Sequence, residues 1–267
     1  MDQIRDDPAF GNAACQPMLN PAPCIPMNTA SAPSFSDLAM EPLRGALAHL
    51  VGGFTASTIA EKVPHGQGEP TLVIPGLGTT GLSTTTLRKF LRSAGYRVYD
   101  WGLGRNIGPR GGIDTWLARL QARLEEISGK NGGARVHLVG WSLGGIYARE
   151  LAKRCPGLVR QVVTLGSPLS GDPEATNGKL LYRLLAGGSA ADDEALLARV
   201  RVPPRVRCTS LYSKLDGVVS WRSSAFPLRP AHRAFEVEGV SHLGLVSDPR
   251  ALAAVAQVMV GQAPAQV

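Results

Sequence analysis

The sequence predicts an α/β fold, a mostly parallel sheet with helices on both faces. Three observations predict it. Short apolar runs alternate with segments of helical period from about residue 70 onward. The runs are apolar at consecutive positions, as in strands buried on both faces. Glycine-rich turns follow the runs, as in Pro75-Gly76-Leu77-Gly78 and Gly140-Trp141-Ser142-Leu143-Gly144-Gly145. Parallel neighbours need crossover helices, and ligands in such sheets sit at the carboxyl ends of the strands.

Residues 1–35 carry prolines at 8, 17, 21, 23, 26 and 33 and few large apolar side chains, which predicts an extended arm before one domain at 36–267. Ser36 is expected to cap a helix running to about Gly52, with Leu43, Leu47, Leu50 and Val51 as its apolar stripe. Leu50 to Ile59 either continues that helix or starts a new element.

Pro70–Ile74 reads as a strand, Thr84–Ala94 as a helix with Gly95 as its cap, and Tyr96–Trp101 as a second strand. Asp114 is expected to cap a helix on which Ile113, Leu117, Leu120, Leu124 and Ile127 keep a helical period. Arg135–Val139 is the next strand and Ile146–Ala152 the helix after it. Val159–Leu165, Val206–Leu211 and Ala234–Val237 are further strands, and Arg250–Val260 closes the chain as a helix. Residues 172–204 break the alternation. Two helical pieces, Gly178–Ala186 and Asp192–Val200, flank Gly187-Gly188, which predicts a small helical cap or lid insertion.

Gly140-Trp141-Ser142-Leu143-Gly144 spells G-x-S-x-G between a strand and a helix. That context predicts a nucleophile elbow, a strained turn that projects the serine hydroxyl while the glycines let backbones approach; an ordinary glycine-rich strand–helix turn is the alternative. Ser142 needs a base and an orienting acid. His242 follows the last strand and is the candidate base. His137, inside the elbow strand, reads as a packed core residue. Asp216 follows the preceding strand and is the candidate acid; plain Asp-Gly turn chemistry is its ordinary role, and Asp172 is the alternative acid. The backbone amides of Leu77 and Leu143 are the candidate oxyanion donors. Gly76 to Gly81 lacks the G-K-[ST] ending of a phosphate-binding loop.

On the elbow, the Pro75–Gly78 loop, the Asp216-Gly217 loop and the Ser241-His242 loop, residues 70–262 resemble the α/β-hydrolase superfamily, most closely its small bacterial lipase and esterase-like serine hydrolases. The resemblance implies the order Ser142, Asp216, His242. The chain departs from it in having Pro75-Gly76 where His-Gly is frequent. It also lacks recognisable first strands before residue 70, so residues 36–60 are expected to cover the missing sheet edge. The implied activity is cleavage of carboxylic esters through an acyl-enzyme. Acyl transfer to another acceptor and ligand binding without turnover are the alternatives. Leu180, Leu181, Leu184, Leu185, Leu196 and Leu197 on the insertion either line an apolar acyl pocket or pack the insertion's own helices together.

The net charge of +7 comes mostly from arginines that are scattered rather than massed with aromatics, which argues against nucleic-acid binding. No run reaches the length of a membrane span, and Met1–Pro8 is too polar for a signal peptide, so a cytoplasmic protein is expected. Cys155 and Cys208 read as buried free thiols, whereas Cys15 and Cys24 in the arm could pair only under oxidising conditions. The histidines do not cluster, and no C-x-x-C occurs. No metal or cofactor is expected, only a small-molecule ester substrate. Oligomeric state is left open.

Overall fold

The computed structural model describes residues 31–109, 113–172, 175–177, 198–225 and 232–264. Six parallel strands form one sheet in the order β2-β1-β3-β4-β5-β6. They are β1 (Pro70–Ile74), β2 (Arg97–Asp100), β3 (Val136–Trp141), β4 (Val159–Leu165), β5 (Arg207–Tyr212) and β6 (His232–Glu236). Strands β1 and β3 are buried at every position, as their unbroken apolar runs require. The chain steps from β1 outward to β2, then returns to lay β3 on the other side of β1. The order therefore reverses between β1 and β3, and the loops leaving those two strands flank the crevice that such a reversal opens.

Alternate strand residues point to opposite faces and feed two cores. Leu72, Ile74 and Leu138 pack with helices α3 (Ile113–Lys130) and α4 (Leu143–Arg154). Val73, Val139 and Val163 pack with α1 (Phe35–Ala60), α2 (Thr85–Ser93) and α6 (Pro249–Met259). A single turn, α5 (Trp221–Ser224), follows the β5 loop. Helix α3 buries Leu117, Leu120, Leu124 and Ile127, the period seen in the sequence. Asp114 lies inside its first turn rather than ahead of it. A 3-10 turn, Gly81–Thr84, precedes α2, and Gly95 closes α2 in the left-handed region at φ +87°.

Helix α1 departs most from expectation. It is capped by Ser34, whose Oγ accepts from the Asp37 amide at 3.2 Å, and it runs unbroken to Ala60. Its buried face is Glu41, Gly45, Ala48, Gly52, Ala56 and Ala60. The leucine stripe faces outward: Leu43, Leu47, Leu50 and Val51 are about half exposed, and Phe54 is 79% exposed. Small residues won the inner face because the helix lies too close to its neighbour for large ones. A Cβ on Gly52 would sit 1.8 Å from the Ser247 carbonyl oxygen, and one on Gly45 would sit 2.5 Å from Leu243 Cβ. Nor does α1 cover a sheet edge. It packs on α2, α6 and the segment Leu243–Val246, while β2 and β6 are the edge strands.

The N-terminal arm up to residue 30, Cys15, Cys24 and most of the 172–204 insertion lie outside the described residues. At the insertion's end, residues 198–201 are helical, and Arg199 reaches the buried Glu150 at 2.6 Å and Asp114 at 3.0 Å. Cys155 and Cys208 are buried free thiols, as expected.

Candidate active site

Ser142 lies between the end of β3 and the start of α4 with φ 55° and ψ −123°, the one non-glycine residue with positive φ among those described. That conformation costs an L-residue of order 1–3 kcal/mol and is held by its surroundings. Its amide donates to the Leu165 carbonyl at 2.8 Å, and its carbonyl accepts from the Gly145 amide at 3.0 Å. The flanking glycines are required by space. A Cβ on Gly140 would meet the Gly144 carbonyl oxygen at 2.3 Å, and one on Gly144 would meet that of Ile74 at 2.3 Å.

His242 lies beside this turn. Its Nδ1 is 2.7 Å from Asp216 Oδ2, and both residues are buried. The other Asp216 oxygen accepts from the Val218 and Val219 amides at 2.9 and 2.7 Å. The Asp-Gly turn and the contact with the imidazole therefore coexist, one on each carboxylate oxygen. Burial works against a charged His242. The Asp216 carboxylate, through its charge and hydrogen bond, together with the charge of Glu41, overcomes this and raises the histidine above its ordinary 6.5.

Ser142, Asp216 and His242 are gathered around the Leu165–Gly166 turn after β4. A Cβ on Gly166 would lie 2.8 Å from Asp216 Oδ2 and 3.0 Å from His242 Nδ1, and Leu165 holds the serine amide. Among the described residues no hydrogen bond joins Ser142 Oγ to His242; such bonds commonly tighten only when substrate is bound. Asp172 lies in the loop after β4, and it is Asp216 that meets the imidazole. His137 is a core residue paired with Gln161 at 2.8 Å, and burial holds its pKa down at about 4. His232 begins β6 and reaches the Pro204 carbonyl.

The Pro75–Gly78 loop passes directly over the serine. A Cβ on Gly76 would sit 3.0 Å from the Trp141 ring and 3.3 Å from Ser142 Cβ, so glycine is needed there for proximity. Among the described residues, neither the Leu77 nor the Leu143 amide donates to a protein acceptor.

Three residues that shape the site escaped the sequence reading. The fully buried Asn106 donates through Nδ2 to the Pro75 carbonyl at 2.9 Å, and its backbone oxygen accepts from the Gly78 amide at 2.7 Å. It thus ties the loop down at both Pro75 and Gly78. The Trp141 indole N–H donates to the His242 carbonyl. Glu41, from α1, accepts from the amides of Gly217, His242 and Leu243. None of these partnerships has a local sequence signal, because each spans at least 28 positions.

A family model described as the alpha/beta hydrolase family matches residues 71–235, more than half of the chain. The chain belongs to the alpha/beta hydrolase family. The match contains Ser142 and Asp216 and ends before His242. Over 143 residues the chain is 29% identical to a triacylglycerol lipase of Burkholderia plantarii, covering 50% of this chain and 38% of that protein's length. Among solved structures it resembles Aspergillus fumigatus lipase B at TM-score 0.56 and 17% identity, over 75% of this chain and 54% of that one. It also resembles the naproxen esterase of Bacillus subtilis at TM-score 0.51 and 14% identity, over 74% and 86% of the two chains. At such identities the structural likeness is a likeness of fold.

Proposed function

We propose that this hydrolase cleaves carboxylic esters through an acyl-enzyme on Ser142. In that reading His242 takes the serine proton as Oγ bonds to the acyl carbon. The oxygen of the former carbonyl becomes negative and turns toward the Leu77 and Leu143 amides, donors worth about 3–4 kcal/mol each in such sites. The C–O bond to the alcohol then breaks, and His242 returns the proton to the leaving oxygen. Water, deprotonated by the same imidazole, attacks the acyl carbon and releases the acid and Ser142. Asp216 keeps the imidazole in the tautomer that presents Nε2 to the serine and stabilises the imidazolium.

The observation that carries this reading is the buried 2.7 Å contact between His242 and Asp216, set against the strained backbone of Ser142. A carboxylate paired to an imidazole beside a buried, strained serine is costly to build for packing alone. The esterase and lipase names of the similar proteins agree with an ester substrate.

The test is labelling with a fluorophosphonate probe, alongside turnover of p-nitrophenyl esters of graded acyl length. Wild-type protein is expected to react with both, and Ser142→Ala with neither. An unreactive wild type, or a Ser142→Ala variant that labels equally, overturns the proposal.

A further inference from the structure

We propose that Glu41, on the first helix, is a positioning residue that clamps the Asp216 and His242 loops in catalytic register. The proposal rests on the ester-hydrolase reading above and assigns a role to a residue far outside the elbow. Glu41 Oε1 accepts from the Gly217 and His242 amides, each at 2.8 Å, and Oε2 accepts from the Leu243 amide at 3.0 Å. One carboxylate therefore holds the residue after the acid and both the amide of the base and that of its neighbour.

The partner choice matters. Glu41 is 3% exposed, and among the described residues no cationic side chain pairs with it. A buried carboxylate held only by amides is a costly way to fill space, and an apolar side chain would fill it more favourably. What an apolar side chain cannot do is tie two loops together. His242 is consequently fixed on three sides: Glu41 at its amide, the Trp141 indole at its carbonyl at 3.1 Å, and Asp216 at Nδ1. A shift of Gly217 or of the His242 backbone passes directly into the distance between imidazole and Asp216.

Independent packing shows that α1 is built to approach these loops. Besides Gly45 against Leu243 and Gly52 against Ser247, a Cβ on Gly217 would lie 2.5 Å from the backbone of Asp37. Asn177 Nδ2 bridges the Gly217 and Pro33 carbonyls at 2.8 and 3.0 Å, and His49 Nδ1 lies 2.9 Å from Ser247 Oγ. Two titratable groups act on the His242 ring: Asp216 from the β5 loop and Glu41 from α1. The negative charge of Glu41 favours the imidazolium that catalysis forms.

Glu41→Gln tests the clamp with little change of shape. The amide keeps an oxygen for Gly217 and His242, but it sets an N–H against the Leu243 N–H and removes the charge. The expected result is a kcat lower by about tenfold to a hundredfold with KM within about twofold. The acid limb of kcat/KM is expected to move to lower pH, and the His242 titration followed by NMR to fall with it. A folded Glu41→Gln protein with wild-type kcat and an unmoved His242 titration overturns the proposal. Should that variant not fold, Glu41→Asp takes its place, because losing one methylene withdraws the carboxylate from the Gly217, His242 and Leu243 amides. Wild-type kcat and His242 titration there overturn the proposal equally. The NMR titration needs no turnover, so an inactive wild type defeats the ester-hydrolase reading while leaving the clamp to be judged by the histidine itself.

Discussion

The Trp141 indole N–H donates to the backbone oxygen of His242 at 3.1 Å, and their rings lie 5.5 Å apart between centroids. The residue before the serine thus holds the backbone of the histidine. Trp141→Phe keeps most of the ring and removes the donor. A buried carbonyl left without its partner costs about 1–3 kcal/mol, which urea unfolding is expected to register. Ester turnover is expected to fall several-fold, mostly in kcat.

The charge pair gives a pH prediction with a definite sign. Because His242 is raised above 6.5, kcat/KM is expected to climb through an acid limb placed above that value. Asp216→Asn should move the limb down and lower kcat by about 10³–10⁴-fold. A raised folded-state pKa contributes stability that is full below 6.5 and disappears as pH rises through the folded value. The stability gap between wild type and Asp216→Asn is therefore expected to be wide at pH 5 and narrower at pH 9. A gap that widens with pH contradicts this account.

Two adjacent glycines of α1 should respond in opposite directions to one methyl group. Gly52→Ala drives a Cβ to within 1.8 Å of the Ser247 carbonyl oxygen and is expected to cost at least about 2 kcal/mol. Gly53 has open space around its missing Cβ, so Gly53→Ala is expected to gain about 0.5–1 kcal/mol from helix propensity alone. Thermal melts of the two variants decide it.

The outward-facing stripe is equally testable. Leu43→Gln and Leu47→Gln remove apolar side chains that the fold leaves about half exposed. Each is expected to change the unfolding free energy by no more than about 0.5 kcal/mol. Losses of 2 kcal/mol or more, as for a core leucine, would place the stripe inside.

How much of this was legible beforehand depends on the range of the interactions involved. The six strands, the helical period of α3 and the elbow are written in neighbouring residues, and the sequence located them within a few positions. Helix α1 was found but turned the wrong way. Leucines and small residues both recur at helical spacing there, and hydrophobicity alone favours the leucines. The distance to Leu243 and Ser247 favours glycine, and that distance is a property of the whole fold. Asn106 and Glu41 were missed for the same reason. Each binds backbone amides and carbonyls of remote loops, and any residue type presents those groups.

The link from Glu41 to His242 spans 201 positions, nearly the full described length of the chain. Neighbouring strands pair over shorter separations, whereas this contact and the rest of the α1 docking need segments some two hundred positions apart to meet. In a refolding experiment, secondary structure should therefore return ahead of enzymatic competence. The slowest kinetic phase is expected to be the one in which turnover reappears.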